Sequence, residues 1–145
     1  MKNKILFILI FFSYFFCFSQ QKVTWKDLSK VTFTEKYFPD YDETLLHPTF
    51  SSDVKNLHGK QITITGYFLN LNLQEKYYIL SKGPMSACYF CGIGGPETTI
   101  ELQFSSKQKF KTDAMVTVTG ILKLNDADVE HFNYILTNCK GILAK

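Results

Sequence analysis

Two cysteines spaced for chemistry, Cys88 and Cys91, stand in the run Cys88-Tyr89-Phe90-Cys91-Gly92. The surrounding stretch, Ser81 to Glu97, also holds four of the eight glycines and two of the four prolines, so the pair sits in a connection and not in a regular element. Cys-x-x-Cys serves three chemistries. A disulfide closes a small ring and stabilises modestly, and it suits an oxidising compartment. A metal knuckle offers two thiolates from one tight turn, with a glycine that permits a left-handed backbone behind them. Soft ions that suit thiolates lead, with zinc the ion named. A structural zinc takes four tetrahedral ligands, and one knuckle supplies two. His131 is the third ligand taken here, with Cys139, His58, Glu97 or a second chain's knuckle as further donors. Thiol–disulfide exchange is the third chemistry. It needs the attacking sulfur at a helix N-terminus, and Gly92, Gly94, Gly95 and Pro96 do not propagate a helix.

Other candidate groups have blander readings. His131 reads more readily as a partly exposed histidine near a hairpin than as a ligand or base, His47 and His58 as solvated connector residues, and Cys139 as a small buried apolar side chain. Asp126, Asp128 and Glu130 lack the glycine and the distal glutamate of a calcium loop. Gly92-Ile93-Gly94-Gly95 lacks the Gly-Lys-Ser/Thr that cradles phosphate. Tyr67, Tyr77 and Tyr78 offer a stacking face for bases or sugars. No serine, histidine and carboxylate group stands out as a triad, and a non-enzymatic role is expected.

The elements that must position these residues read mainly as strands. Thr24 caps a helical turn through Leu28 and Asp27 returns the bond. Val31 to Tyr37 alternates as a short strand, Leu45 to Phe50 reads as an apolar connector, and Ser52 caps a brief helix that Gly59 ends. Five strands follow: Gln61 to Asn70 with a bend at Gly66, Lys76 to Ser81, Thr98 to Phe104, Ala114 to Leu124 and His131 to Thr137. Ile62, Ile64, Phe68, Ile100, Leu102, Phe104, Val116, Val118, Leu122, Leu124, Phe132, Tyr134 and Leu136 form the expected inner face, with Thr99, Glu101 and Gln103 outward. The fold expected is mainly β: a small five-stranded OB-like Greek-key barrel with short N-terminal helical segments, the cysteine loop joining its second and third strands. An open sheet packed on segments 24–58 is the alternative.

The first 19 residues stand apart. Lys2 and Lys4 precede the apolar run Ile5 to Phe18, and Cys17-Phe18-Ser19 offers small residues before a cut, the layout of a signal peptide. About 14 apolar residues fall short of the roughly 20 that span a bilayer. Cleavage there leaves residues 20–145 as a single domain with 14 basic against 13 acidic side chains, Lys2 and Lys4 having gone with the leader. That balance provides no electrostatic footprint for nucleic acid or anionic membrane. The expected location is periplasmic or secreted, with no membrane anchor after cleavage.

The runs "TWKDL", "PTF…VKNLHGKQITITGYF", "YYILSKGP…CYFCGIGGPE" and "VTVTGILKLNDADVEHFNYIL" resemble an uncharacterised family of small secreted Bacteroidetes proteins with a Cys-x-x-Cys-Gly loop. That family is distantly similar to exported OB-like domains of unknown function, some of which lie near metal-transport systems. The likeness covers nearly all of residues 22–140, and Cys88, Cys91, Gly92, Pro96 and Glu97 match its most distinctive motif. It implies a barrel fold and periplasmic location and brings no activity. The function expected is an exported binding or accessory module for a small ligand or a protein partner, its cysteines joined as a disulfide or holding a metal. The alternative is a thiol–disulfide redox protein using Cys88 and Cys91.

Overall fold

The computed structural model describes residues 21–72 and 77–145; the expected leader lies outside the described residues, as does most of the tip between the first two barrel strands. The described strands are β1 (Gln21–Lys22), β2 (Val31–Phe38), β3 (Glu43–Phe50), β4 (Gln61–Asn72), β5 (Tyr77–Ser81), β6 (Thr99–Leu102), β7 (Ala114–Leu124) and β8 (Tyr134–Leu143). β4, β5, β6, β8 and β7 are hydrogen-bonded in that order, and β7 returns to β4, so the sheet closes on itself. All pairings around the ring are antiparallel except β6 with β8. This is the Greek-key order of a small OB-like barrel, and closure leaves its strands no free edge.

Alternation fills the interior. Ile62, Ile64 and Phe68 of β4, Tyr78 and Leu80 of β5, Ile100 and Leu102 of β6, Val116, Val118 and Leu122 of β7, and Tyr134, Leu136 and Cys139 of β8 make one buried cluster. No helix occupies the stretch between β6 and β7. Two short N-terminal helices close the barrel instead, α1 (Trp25–Leu28) and α2 (Ser52–Lys55), which bury Leu28 and Val54. Thr24 and Asp27 form the expected capping box of α1. The cap of α2 is Ser51, one residue earlier than expected, because its side chain accepts from the Val54 amide. Buried Tyr134 donates its hydroxyl to the Leu28 carbonyl at 2.6 Å, tying α1 to the barrel floor.

Two close approaches explain the strand glycines. A side chain on Gly66 would run into the Ser81 carbonyl at 2.6 Å and the Trp25 ring at 2.9 Å. Without one, the indole lies against β4 and donates to the Thr65 carbonyl at 2.8 Å. At Gly120 a Cβ would meet the Thr137 carbonyl at 2.9 Å. Here β8 bulges, the register slipping between Thr119 and Ile121 with Asn138 left-handed at φ 53°. The bulge breaks the alternation, so the last strand reads as ending at Thr137 although it continues to Leu143. At its other end β8 starts at Tyr134, which puts His131 in the preceding loop.

Three further expectations are corrected. Leu45 to Phe50 is not a connector: β3 pairs antiparallel with β2 from Val31↔Phe50 to Phe38↔Glu43, a two-stranded hairpin standing off the barrel. Pro48 is tolerated because the ribbon has only one partner strand to satisfy. Thr99 and Glu101 point away from the barrel axis as expected, yet both are buried, because other chain covers that outer face. Tyr78 offers no stacking face, since it lies in the core and its hydroxyl accepts from the Gln108 amide at 3.0 Å.

Candidate functional site

The cover over the outer face is the cysteine loop. Outward residues of β4 and β5, Leu69 and Ile79, are fully buried with Cys88 in a second apolar cluster, onto which Tyr67, Tyr77, Met85 and Phe132 pack. The loop is made of short 3-10 turns, Met85–Ala87, Tyr89–Cys91 and Pro96–Thr98, separated by extended backbone. It is pinned to the barrel where the Met85 amide donates to Asp113 Oδ1 at 2.6 Å and the Lys82 amide to the Thr98 carbonyl at 3.0 Å. The Cys91 and Ile93 amides both return to the Cys88 carbonyl, and Gly92 ends the turn left-handed at φ 77°.

This backbone brings Cys88 and Cys91 together. Both thiols donate to the Met85 carbonyl oxygen, at 3.2 Å and 3.0 Å. The two are free thiols, Cys88 buried and Cys91 exposed. Cys139 does not join them: it lies within the barrel, donates to the Leu136 carbonyl at 3.0 Å, and burial pushes its thiol up to about 12. That thiol is the unreactive core residue the sequence reading offered as one option.

His131 is held elsewhere. Its Nδ1 lies 3.0 and 2.9 Å from the two oxygens of Glu101. Glu101, on the outer face of β6, is only 5 % exposed and also receives the Gln103 side-chain amide at 2.9 Å and the Phe132 amide. Hydrogen bonding to this carboxylate and its charge raise the His131 pKa above the usual histidine value, with Asp128 and Glu130 adding to the effect. Facing a carboxylate, Nδ1 is the nitrogen that carries the proton in this bond. Glu101 was missed because the alternation of its strand assigns it to solvent; only the loop folded over it makes it a buried anchor.

Asn125 organises the loop that carries His131. Its amide nitrogen donates to the Asp128, His131 and Phe132 carbonyls, and its Oδ1 accepts from the Ala127 and Asp128 amides. Asp128 accepts from the Glu130 amide, so the acidic run is a turn stabilised by its own side chains. Phe132 then packs on Phe90 and Tyr77, with ring centres 6.0 and 6.1 Å apart, and locks this loop to the cysteine loop. His58 caps β7 by accepting the Leu124 amide at 3.1 Å. Among the described residues, no three of His, Cys, Asp and Glu gather where they could hold a metal. The thiol pair therefore supplies two ligands, with no third of those residue types beside it among the described residues.

Between the β2–β3 hairpin, the cysteine loop and the loop before β8 lies a groove of about 410 Å³. Phe38, Leu45, Leu46, Tyr89 and Phe132 supply apolar walls, and Asp126, Asp128 and His131 supply charge.

No family model and no curated protein matches the chain. Among solved structures it is similar to a DUF3299 family protein from Pseudomonas aeruginosa, with a TM-score of 0.58 and 13 % identity over 88 % of this chain and 97 % of that one. The likeness is one of fold. It supports a small β-barrel of the OB-like kind over nearly the whole length, and it says nothing about the thiols or the groove. Among the described residues no helix is long and apolar enough to cross a membrane.

Proposed function

We propose that this protein is an exported binding module whose ligand lies in the groove beside the cysteine loop. Supporting this is the convergence there of three excursions that take no part in closing the barrel. The opening, about 410 Å³, falls within the size range of small-molecule sites. OB barrels bind on the face of their second and third strands and through the loop between the fourth and fifth. The counterpart of that loop here is Asn125–Asn133, which carries His131 and lines the groove, while the outer face of β5 and β6 lies beneath the covering loops.

The lining selects the ligand class. His131 and Glu101 compensate one another, which leaves Asp126 and Asp128 as net negative charge beside aromatic and aliphatic walls. An amphipathic cation fits: an amine or a short peptide with one basic head and an apolar body. The test is a proton–nitrogen correlation titration with phenethylamine and with a Lys-Phe dipeptide, repeated on Leu46→Arg. Leu46 is half exposed in the wall, so arginine there adds repulsion without disturbing the core. The expected result is shift changes confined to residues around the groove and at least a tenfold weaker response in the variant. Shifts scattered over the surface, or a response that Leu46→Arg leaves intact, would remove this reading.

A further inference from the structure

We infer a second, separate site: Cys88, Cys91 and Met85 form a binding site for a soft monovalent ion, Cu(I) or its redox-inert stand-in Ag(I). The sequence spacing, Met-x-x-Cys-x-x-Cys, folds so that three sulfur-bearing residues belong to one pinned turn. Both cysteine sulfurs already address a single point, the Met85 carbonyl oxygen, at 3.2 and 3.0 Å. The Met85 side chain packs on the cluster that contains Cys88, so thioether and thiol share one apolar wall. Cys91 is exposed and supplies the entry.

Ion type follows from ligand type and number. Thiolate and thioether ligands favour Cu(I) over the harder divalent cations. Zinc seeks four ligands, and nothing among the described His, Cys, Asp and Glu residues completes that number. Leu69, Ile79 and Phe132 put apolar surface beside Cys88, which suits a soft ion better than a hydrated hard one. Binding replaces two weak S–H···O bonds with two metal–sulfur bonds. Both thiol protons leave to solvent, one monovalent cation enters, and no electron moves, so the loaded pair carries a single negative charge. The Cys91 and Ile93 amide bonds to the Cys88 carbonyl and the left-handed Gly92 already hold the turn that presents both thiols.

The experiment is an anaerobic competition of the purified protein against bathocuproine disulfonate, with Cu(I) as the metal and Zn(II) in parallel. One Cu(I) per chain should be held. Cys91→Ser, at an exposed position, should weaken retention at least a hundredfold, and Met85→Leu about tenfold. Cys139→Ala should leave it unchanged, and circular-dichroism melts would confirm that each variant is folded. Retention should also fall steeply as pH drops, because two protons compete with one ion. The inference is overturned if the chelator strips the metal completely, if Cys91→Ser still holds it, if Zn(II) is retained as well, or if the pair is isolated as a disulfide that dithiothreitol leaves closed. Leu46→Arg should not affect Cu(I), so failure of the groove reading and failure of this one are distinguishable.

Discussion

His131 shows how one buried carboxylate sets the behaviour of an exposed ring. Glu101 raises its pKa first through the hydrogen bond and then through charge, so the protonated form is favoured in the folded chain over the unfolded one. The stability this contributes is fully present below pH 6.5, the unfolded value, and is lost as pH rises through the higher folded value. A ring-proton titration of His131 is expected to show a midpoint above 6.5, returning towards that value in Glu101→Gln. The melting temperature should decline over the same interval in the native protein, with a shallower slope in the variant. Equal slopes would show that the pair carries no pH-linked stability. The two glycines differ in a comparable way. Gly120→Val forces a branched side chain against the Thr137 carbonyl inside the barrel, whereas Gly94→Ala meets the movable Thr98 side chain and a left-handed φ of 84° in an exposed turn. Thermal or urea melts should show a loss of about 3 kcal/mol or more for the first and about 1 kcal/mol for the second.

At the scale of elements, the cysteine loop is held to the barrel by the Met85 and Lys82 backbone bonds, by Cys88 against Leu69 and Ile79, and by aromatic packing through Phe132. In the native protein Cys91 should react quickly with a maleimide, Cys88 slowly and Cys139 not at all while the barrel is closed. Phe132→Ala should speed Cys88 labelling by about tenfold, the factor for a loss of roughly 1.4 kcal/mol in local opening free energy. No change in Cys88 rate would mean that the loop is anchored by its backbone hydrogen bonds alone. The strands beneath were legible because Ile62, Ile64, Val116, Val118 and their neighbours alternate cleanly, one face for each environment. The hairpin was half legible. Leu45-Leu46-His47-Pro48 neither alternates nor avoids proline, and of these four only Pro48, near the base of the ribbon, is buried. Glu101 was not legible at all, because strand period reports which side a residue points to and not what later folds across that side. The convergence of two thiols on the Met85 oxygen likewise needs the turn geometry, although the Cys-x-x-Cys-Gly spacing marked the place.

At the scale of the whole molecule, the barrel and the hairpin contribute to different properties. Closure, the buried cluster and the helices α1 and α2 account for stability, with Val31 at the edge of that core and Phe50 within it. Beyond that base the hairpin is mostly exposed and makes no sheet hydrogen bonds to the barrel, yet Phe38, Leu45 and Leu46 form one wall of the groove. Cutting the ribbon short should therefore separate binding from folding. Thr34 and His47 lie directly opposite one another, so an Asn-Gly turn can join them in place of residues 35–46. The shortened chain should melt within a few degrees of the native one, since little buried apolar surface is removed. It should hold Cu(I) as before, because the thiol turn is pinned to β4 to β6 and Asp113 and not to the hairpin. It should lose the response to phenethylamine, having lost the wall opposite Asp126. Collapse of the melting transition would place the hairpin among the elements that hold the barrel together, and an unchanged amine titration would move the ligand out of the groove.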